Sequence, residues 1–277
     1  MFEILQYDFM QRAFIVGILL SAIIPCVGVI VVLKRLSMIG DALSHTSLAG
    51  VAAGLIVGVN PVIGAIVACI AASFGIEAVR RKIPKYSEMS IAIIMSAGIG
   101  LAGVLSSFVK NAVSFNSFLF GSIVAISDFE LISTIAVSVF VLAAFILLYK
   151  ELFFIALDER AAHLSGVPAN VVNFIFTILT AITVSVAART VGALIVSSLM
   201  VVPVACAMQI SRSYRQTVVF SVCFAVFFMI SGLFLSYYLR LKPGATIVLI
   251  GVLVLLAIML VKCGVKKREG LKNKSAA

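Results

Sequence analysis

The chain has 277 residues, 63% of them hydrophobic and 12% charged, with a mean hydropathy of +1.24. A water-soluble domain carries about 25% charged residues, so a soluble enzyme is excluded and lipid is the solvent this composition suits. The net charge of +10 falls in clusters between apolar runs, which membrane topology explains and nucleic-acid binding does not; no nucleic-acid partner is expected.

Runs such as 13–33, 91–109, 131–148, 218–239 and 247–261 approach the roughly 20 apolar residues that cross a bilayer as helix. A helix satisfies its own backbone in lipid, and the short alternating segments of a transmembrane β-barrel do not occur. The expected fold class is an all-α polytopic membrane protein.

In chain order, the first span is expected at 12–33. Glu3 and Asp8 precede it and it is too long for a signal-peptide core, so it is read as retained. A second span, 38–58, is followed by a tight "VNP" turn at 59–61, and a third, 62–79, runs back to Arg80, Arg81, Lys82 and Lys85. The fourth is 89–109. The segment 113–127, "VSFNSFLFGSIVAIS", is too short for an ordinary span and is expected to be re-entrant or a surface helix. Further spans follow at 129–149, 169–188, 190–208, 216–239 and 244–262. Placing the basic clusters in the cytoplasm leaves only Arg12, Lys110, Arg189, Arg240 and Lys242 outside, the usual positive-inside bias. The expectation is eight or nine spans with the amino terminus outside and the carboxyl terminus inside. They form one transmembrane domain, 1–265, with no internal repeat, followed by a basic tail, 266–277.

The loop 149–172 contains an amphipathic piece, Phe153 to Ser165, ended by Gly166 and Pro168. It reads either as an interfacial helix at the headgroups or as a surface that receives force from another chain.

Ionisable groups within spans are expensive and mark pathways. Asp41 and His45 lie four residues apart on the second span, hence on one helical face. With the helix starting near Leu36, Asp41 stands roughly 8 Å and His45 roughly 14 Å along it, which puts His45 near the middle of a core about 30 Å thick. A carboxylate and an imidazole suit a divalent transition metal such as zinc or manganese. The other reading has Asp41 capping the helix start, with Ser44 and His45 hydrogen-bonded to a neighbouring helix. Gly50, Gly54 and Gly58 form a small-residue ridge for close helix packing, and Ala49 and Ala53 continue the Asp41–His45 face with small side chains. Glu77 is a third candidate ligand, or a partner of Arg80 or Arg81. Asp128 is expected to cap or line a loop, and His163 to be solvated or to touch a partner. The five cysteines have no metal-site spacing and read as packing residues.

No Gly-Lys dipeptide occurs, so there is no Walker A loop, and GxSxG and HExxH are also missing. No catalytic residue is expected; the chain is not an enzyme, and any energy source lies in a separate chain.

The segment "LKRLSMIGDALSHTSLAGVAAG" (33–54) resembles the signature of membrane permeases of the zinc/manganese/iron-type ABC transporters. "FLFGSIVAIS" (118–127), "ALDERAAHLSGVP" (156–168), "VGALIVSSLMVVPVACA" (191–207) and "KPGATIVL" (242–249) agree in the same order. The resemblance implies a design similar to the cobalamin and siderophore importers, in a bacterial plasma (inner) membrane. It implies a homodimer, a cytoplasmic ATP-binding subunit that uses the ATP, and an extracytoplasmic metal-binding protein that delivers the ion. It makes 156–168 the coupling helix, with Ala156, Leu157, Asp158, Glu159, Arg160, Ala161, Ala162, His163, Leu164, Ser165 and Gly166 as its ATPase-coupling residues. It makes Asp41 and His45 transient ligands of a transported metal, Glu77 a weaker one, and no cofactor permanently bound. One departure is "PKYSEMS" (84–90), where many relatives carry an acidic residue in an R-x-D-T context; Glu88 is the candidate to fill that role. The "SHTSLAG" wording, with Ser47 and Leu48, resembles zinc permeases, so zinc is the expected cargo, with manganese or iron as alternatives. Two other classes are a stand-alone cation-coupled secondary transporter using Asp41 and Glu77, and a structural membrane protein with a buried polar pair.

Overall fold

The computed structural model describes residues 8–83, 86–109 and 126–275, and these hold helices and no strand. In chain order they are α1 (Asp8–Leu33), α2 (Ile39–Val57), α3 (Pro61–Lys82), α4 (Ser87–Ser106), α5 (Asp128–Leu147), α6 (Tyr149–Leu157), α7 (Glu159–Leu164), α8 (Ala169–Thr190), α9 (Ala193–Ile210), α10 (Tyr214–Leu239) and α11 (Pro243–Ser275). Eight of the described helices (α1 to α5, α8, α10 and α11) are long and apolar enough to cross a membrane, and α9 is a shorter apolar helix. The all-helical polytopic expectation holds. The segment 113–127 lies, as far as residue 125, outside the described residues.

Local chemistry sets the helix ends. Asn60 Oδ1 accepts from the Val62 N–H at 2.9 Å, with Pro61 at the first helical position of α3, where its missing N–H is no loss. Ser127 and Glu130 form a reciprocal capping box at the start of α5. Past α1 the Leu36 N–H donates to Val31 O at 2.9 Å and the Arg35 N–H to Val32 O at 3.0 Å. This paired return is a Schellman stop. It places Arg35 at φ 57, a left-handed conformation that most side chains avoid.

The α1–α2 turn and the Arg80 end of α3 share one end of the bundle with α6 and α7, called here the basic end. Arg12, Asp128, Glu130 and Arg189 gather at the opposite end, where Arg12 Nη1 pairs with Asp128 Oδ1 at 2.7 Å and donates to Ile126 O at 3.2 Å. Arg189 pairs there with Glu130.

The core is apolar and lies along α1, α2 and α8, with Leu20, Ile23, Ile30 and Leu43 wholly enclosed. The helices α3, α4, α5, α10 and α11 surround it and turn residues such as Val139, Leu147, Leu253 and Leu260 outward, as a lipid-facing surface requires. α8 touches α1, α2, α3, α5, α6, α7 and α9. It therefore joins the core to both short helices at the basic end.

Candidate functional site

From Ile39 to Ala52 every residue of α2 is buried except Asp41 and His45. The two ionisable residues are thus the ones that keep access to space on an otherwise enclosed helix. Asp41 does not cap α2: the N-cap is Met38, and it has no side-chain capping bond. Neither the Asp41 nor the His45 side chain makes a hydrogen bond or ion pair to another described residue. Ser44 Oγ is buried, also with no partner among the described residues. The capping alternative therefore finds no bond to support it.

Two sequence expectations about α2 need correction. The helix begins at Ile39, not near Leu36, because the Schellman turn after α1 takes up the intervening residues. At 1.5 Å per residue, Asp41 then lies roughly 3 Å and His45 roughly 9 Å along a helix about 28 Å long. The pair sits in the first third of the span, close to the basic end, and His45 is not at its middle. The second correction is Gly58, which lies beyond the helix at φ 78 with open space around it. It ends α2 as a left-handed cap and packs against nothing.

Gly50 and Gly54 sit at the crossing with α3. A Cβ at Gly50 would stand 2.3 Å from Gly64 O, and one at Gly54 would stand 3.3 Å from Pro61 Cα. On the α4 side, a Cβ at Gly98 would meet Thr46 Oγ1 at 2.6 Å. Ala49 and Ala53 line an apolar cleft of about 330 Å³ between α2, α3 and α4. Neither Asp41 nor His45 lines it, so it is not by itself the space the pair faces.

Glu77 lies near the other end of α3, where Arg80 Nη2 stands 2.8 Å from its Oε2. No group of three or more His, Cys, Asp or Glu assembles among the described residues. Glu77 therefore does not complete a three-ligand cluster with Asp41 and His45.

The single amphipathic helix expected at 153–165 is two helices, α6 and α7. The break is at Asp158, which is extended (φ −154, ψ 106) and whose Oδ1 accepts from the N–H groups of Arg160 (2.9 Å) and Ala161 (3.1 Å). An aspartate that caps the next turn competes with continuing the previous one. Ala156 and Val167 are half-buried and Ala162 is fully buried, which anchors α7. Leu157, Glu159, Arg160, Ala161, His163, Leu164, Ser165 and Gly166 are exposed. Leu164 is 90% exposed, an apolar side chain set out from the basic end with nothing covering it. Gly166 at φ 83 and the Val167 N–H to Ala162 O bond at 3.1 Å close α7 with a second Schellman stop.

Sequence reasoning missed Asn173. It is 4% exposed on α8 and bonds both Lys34 and Glu159. The available signal was an amide within an apolar run, which buries only with partners.

The fold is that of an all-helical polytopic membrane protein, with an acid and an imidazole partly accessible in the otherwise buried first part of α2. The chain belongs to the ABC 3 transport family, which matches residues 6–262, and it is a multi-pass membrane permease of the metal type. It is 34% identical over 255 residues to a probable metal transport system membrane protein of Treponema pallidum, covering 92% of this chain and 96% of that one. It is 32% identical to the manganese transport system membrane protein MntC of Listeria monocytogenes (91% and 90% covered). It is 29% identical to the high-affinity zinc uptake system membrane protein ZnuB of Haemophilus influenzae (88% and 94%). Among solved structures, PsaBC from Streptococcus pneumoniae in complex with Fab superposes with a TM-score of 0.83 at 27% identity, covering 92% of each chain.

Proposed function

We propose that this chain carries a divalent transition metal into the cell as the transmembrane subunit of an ATP-driven importer. Manganese is the first reading of the cargo and zinc the second. The observation that supports the proposal is that Asp41 and His45, alone between Ile39 and Ala52, are half-buried on a stretch that is otherwise buried. One carboxylate and one imidazole bind manganese or zinc, and few ligands let the ion leave. The preference for manganese reverses the sequence expectation of zinc. It rests on the names of relatives, since manganese systems of both Listeria and Streptococcus are 29–32% identical to the chain, while the zinc system of Haemophilus, at 29%, keeps zinc as the second reading.

In this reading the chain lies in a bacterial inner membrane with its amino terminus outside and its basic end in the cytoplasm. It pairs with a second copy, takes the ion from an extracytoplasmic metal-binding protein, and docks a cytoplasmic ATPase on α6 and α7. The exposed Leu157 and Leu164 flank the surface offered to that ATPase, and no nucleotide motif in the chain itself competes with this division of labour. Alternating access then exposes Asp41 and His45 first to one side and then to the other.

The test is reconstitution with and without the ATPase. Uptake of manganese that needs the ATPase, ATP and the loaded binding protein supports the proposal. Uptake by the permease alone, driven by an ion gradient, would replace it with the secondary-transporter reading. Competition between manganese and zinc in the same vesicles decides the cargo.

A further inference from the structure

We infer that Asn173 is a positioning residue that ties the ATPase-facing helix α7 to the turn beneath the Asp41–His45 pair. The inference rests on the reading of α7 as the ATPase-docking helix. Asn173 is the fifth residue of α8, and its amide is bonded at both ends. Its Oδ1 accepts from Lys34 Nζ at 2.6 Å, and its Nδ2 donates to Glu159 Oε1 at 2.6 Å. Each bond has a charged partner, so each is stronger than a bond between neutral groups.

The two partners sit where force would enter and where it would be used. Glu159 is the first residue of α7. Lys34 is the first residue after α1 and precedes Arg35 in the Schellman turn that delivers the chain to α2. The slack of a lysine side chain is limited here, because its ammonium stands 5.8 Å over the Phe176 ring while the amide holds it from the side. The Arg80–Glu77 pair of α3 lines the same small pocket. A displacement of α7 therefore pulls on one amide, and that amide pulls on the turn from which Asp41 rises.

The bond to Glu159 is not needed to fold α7. Asp158 caps its start, Ala162 is wholly buried against the bundle, and Glu159 itself is exposed. That leaves transmission as what the bond adds. Contiguity alone does not prove coupling, so the test measures coupling directly.

The experiment uses the complete transporter in vesicles, with manganese-loaded binding protein outside, and reads manganese ions moved per ATP hydrolysed. Glu159→Ala, at an exposed position, and Asn173→Asp, which sets two carboxylates against each other, should each lower that ratio about tenfold, the effect expected from losing one charge-assisted bond. Glu159→Gln should keep it, because its carbonyl still accepts from Asn173. Asn173→Asp combined with Glu159→Gln should restore the ratio to within about twofold, because the new amide now donates to the new carboxylate. A wild-type ratio in Glu159→Ala, or a double variant no better than Asn173→Asp, overturns the inference. Leu164→Asp separates this from the docking reading: it should release the ATPase on purification. An ATPase that stays bound and active on Leu164→Asp overturns the docking reading and the inference with it. An ATPase that is released, together with a normal ratio in Glu159→Ala, overturns the inference alone.

Discussion

Gly50 and Gly64 bring the backbones of α2 and α3 into direct contact: a Cβ on Gly50 would lie 2.3 Å from Gly64 O, and a Cβ on Gly64 would lie 2.4 Å from Gly50 O. Neither carbonyl can move aside without moving its helix. The lateral position of α2, and with it the accessible stripe of Asp41 and His45, is set by two absent side chains.

Gly50→Ala should therefore lower stability by about 1–3 kcal/mol, the range for overpacking a tight contact, and should impair uptake. Gly58→Ala fails differently. It meets open space but sits at φ 78, so its expected loss is about 1 kcal/mol from backbone strain, with uptake kept. Thermal midpoints in detergent, read beside uptake, separate the two.

The ion pairs at the opposite end should differ in weight. Glu130 is buried, is part of the α5 capping box and pairs with Arg189. Glu130→Ala removes the buried carboxylate that faces Arg189 and one of the two bonds of the α5 capping box, and should cost about 3 kcal/mol. Asp128, whose side chain is 79% exposed opposite Arg12, should contribute under about 1 kcal/mol. Thermal denaturation of Glu130→Ala and Asp128→Ala checks the ranking, and equal losses would contradict it.

What could be read from the sequence follows from what each feature depends on. The spans were legible because hydropathy is local: 38–58 was expected and 39–57 is found, and 216–239 became 214–239. The Asp41–His45 face was legible because a four-residue spacing fixes it. The depth of His45 was not, because it depends on a Schellman turn built around Arg35, where glycine is the usual signal. The break at Asp158 had a signal, an Asp before Glu-Arg-Ala, that the amphipathic pattern outweighed. Asn173 could not be assigned, since its partner Lys34 lies 139 residues away and nothing local names it.

Lys34 supplies a pH dependence. Burial first, and then the Arg80 guanidinium, pull its ammonium down from 10.5 to about 8, against the opposing pull of Glu159 and Glu77. The unfolded chain keeps that proton up to about 10.5, so between about 8 and 10.5 the unfolded state binds more protons and stability rises with pH. Below about 8 both states are charged and this contribution is flat. The charge-assisted bond to Asn173, by contrast, weakens as pH climbs through about 8. Uptake should fall as the pH on the basic-end side rises through that value, while the thermal midpoint does not fall. Lys34→Arg, which stays charged, should flatten the uptake profile; an unchanged profile would reject the assignment.

Asp41 and His45 are proposed to hold the ion in transit. The most direct measurement is ATP-driven manganese uptake into vesicles by Asp41→Asn and His45→Ala, with ATPase co-purification and the thermal midpoint read on the same samples. Because neither side chain has a hydrogen-bond or ion-pair partner among the described residues, each variant should fold, keep its ATPase and lose uptake by about tenfold or more, which corresponds to about 1.4 kcal/mol or more of ion binding. Uptake at the wild-type rate by either variant would contradict the account.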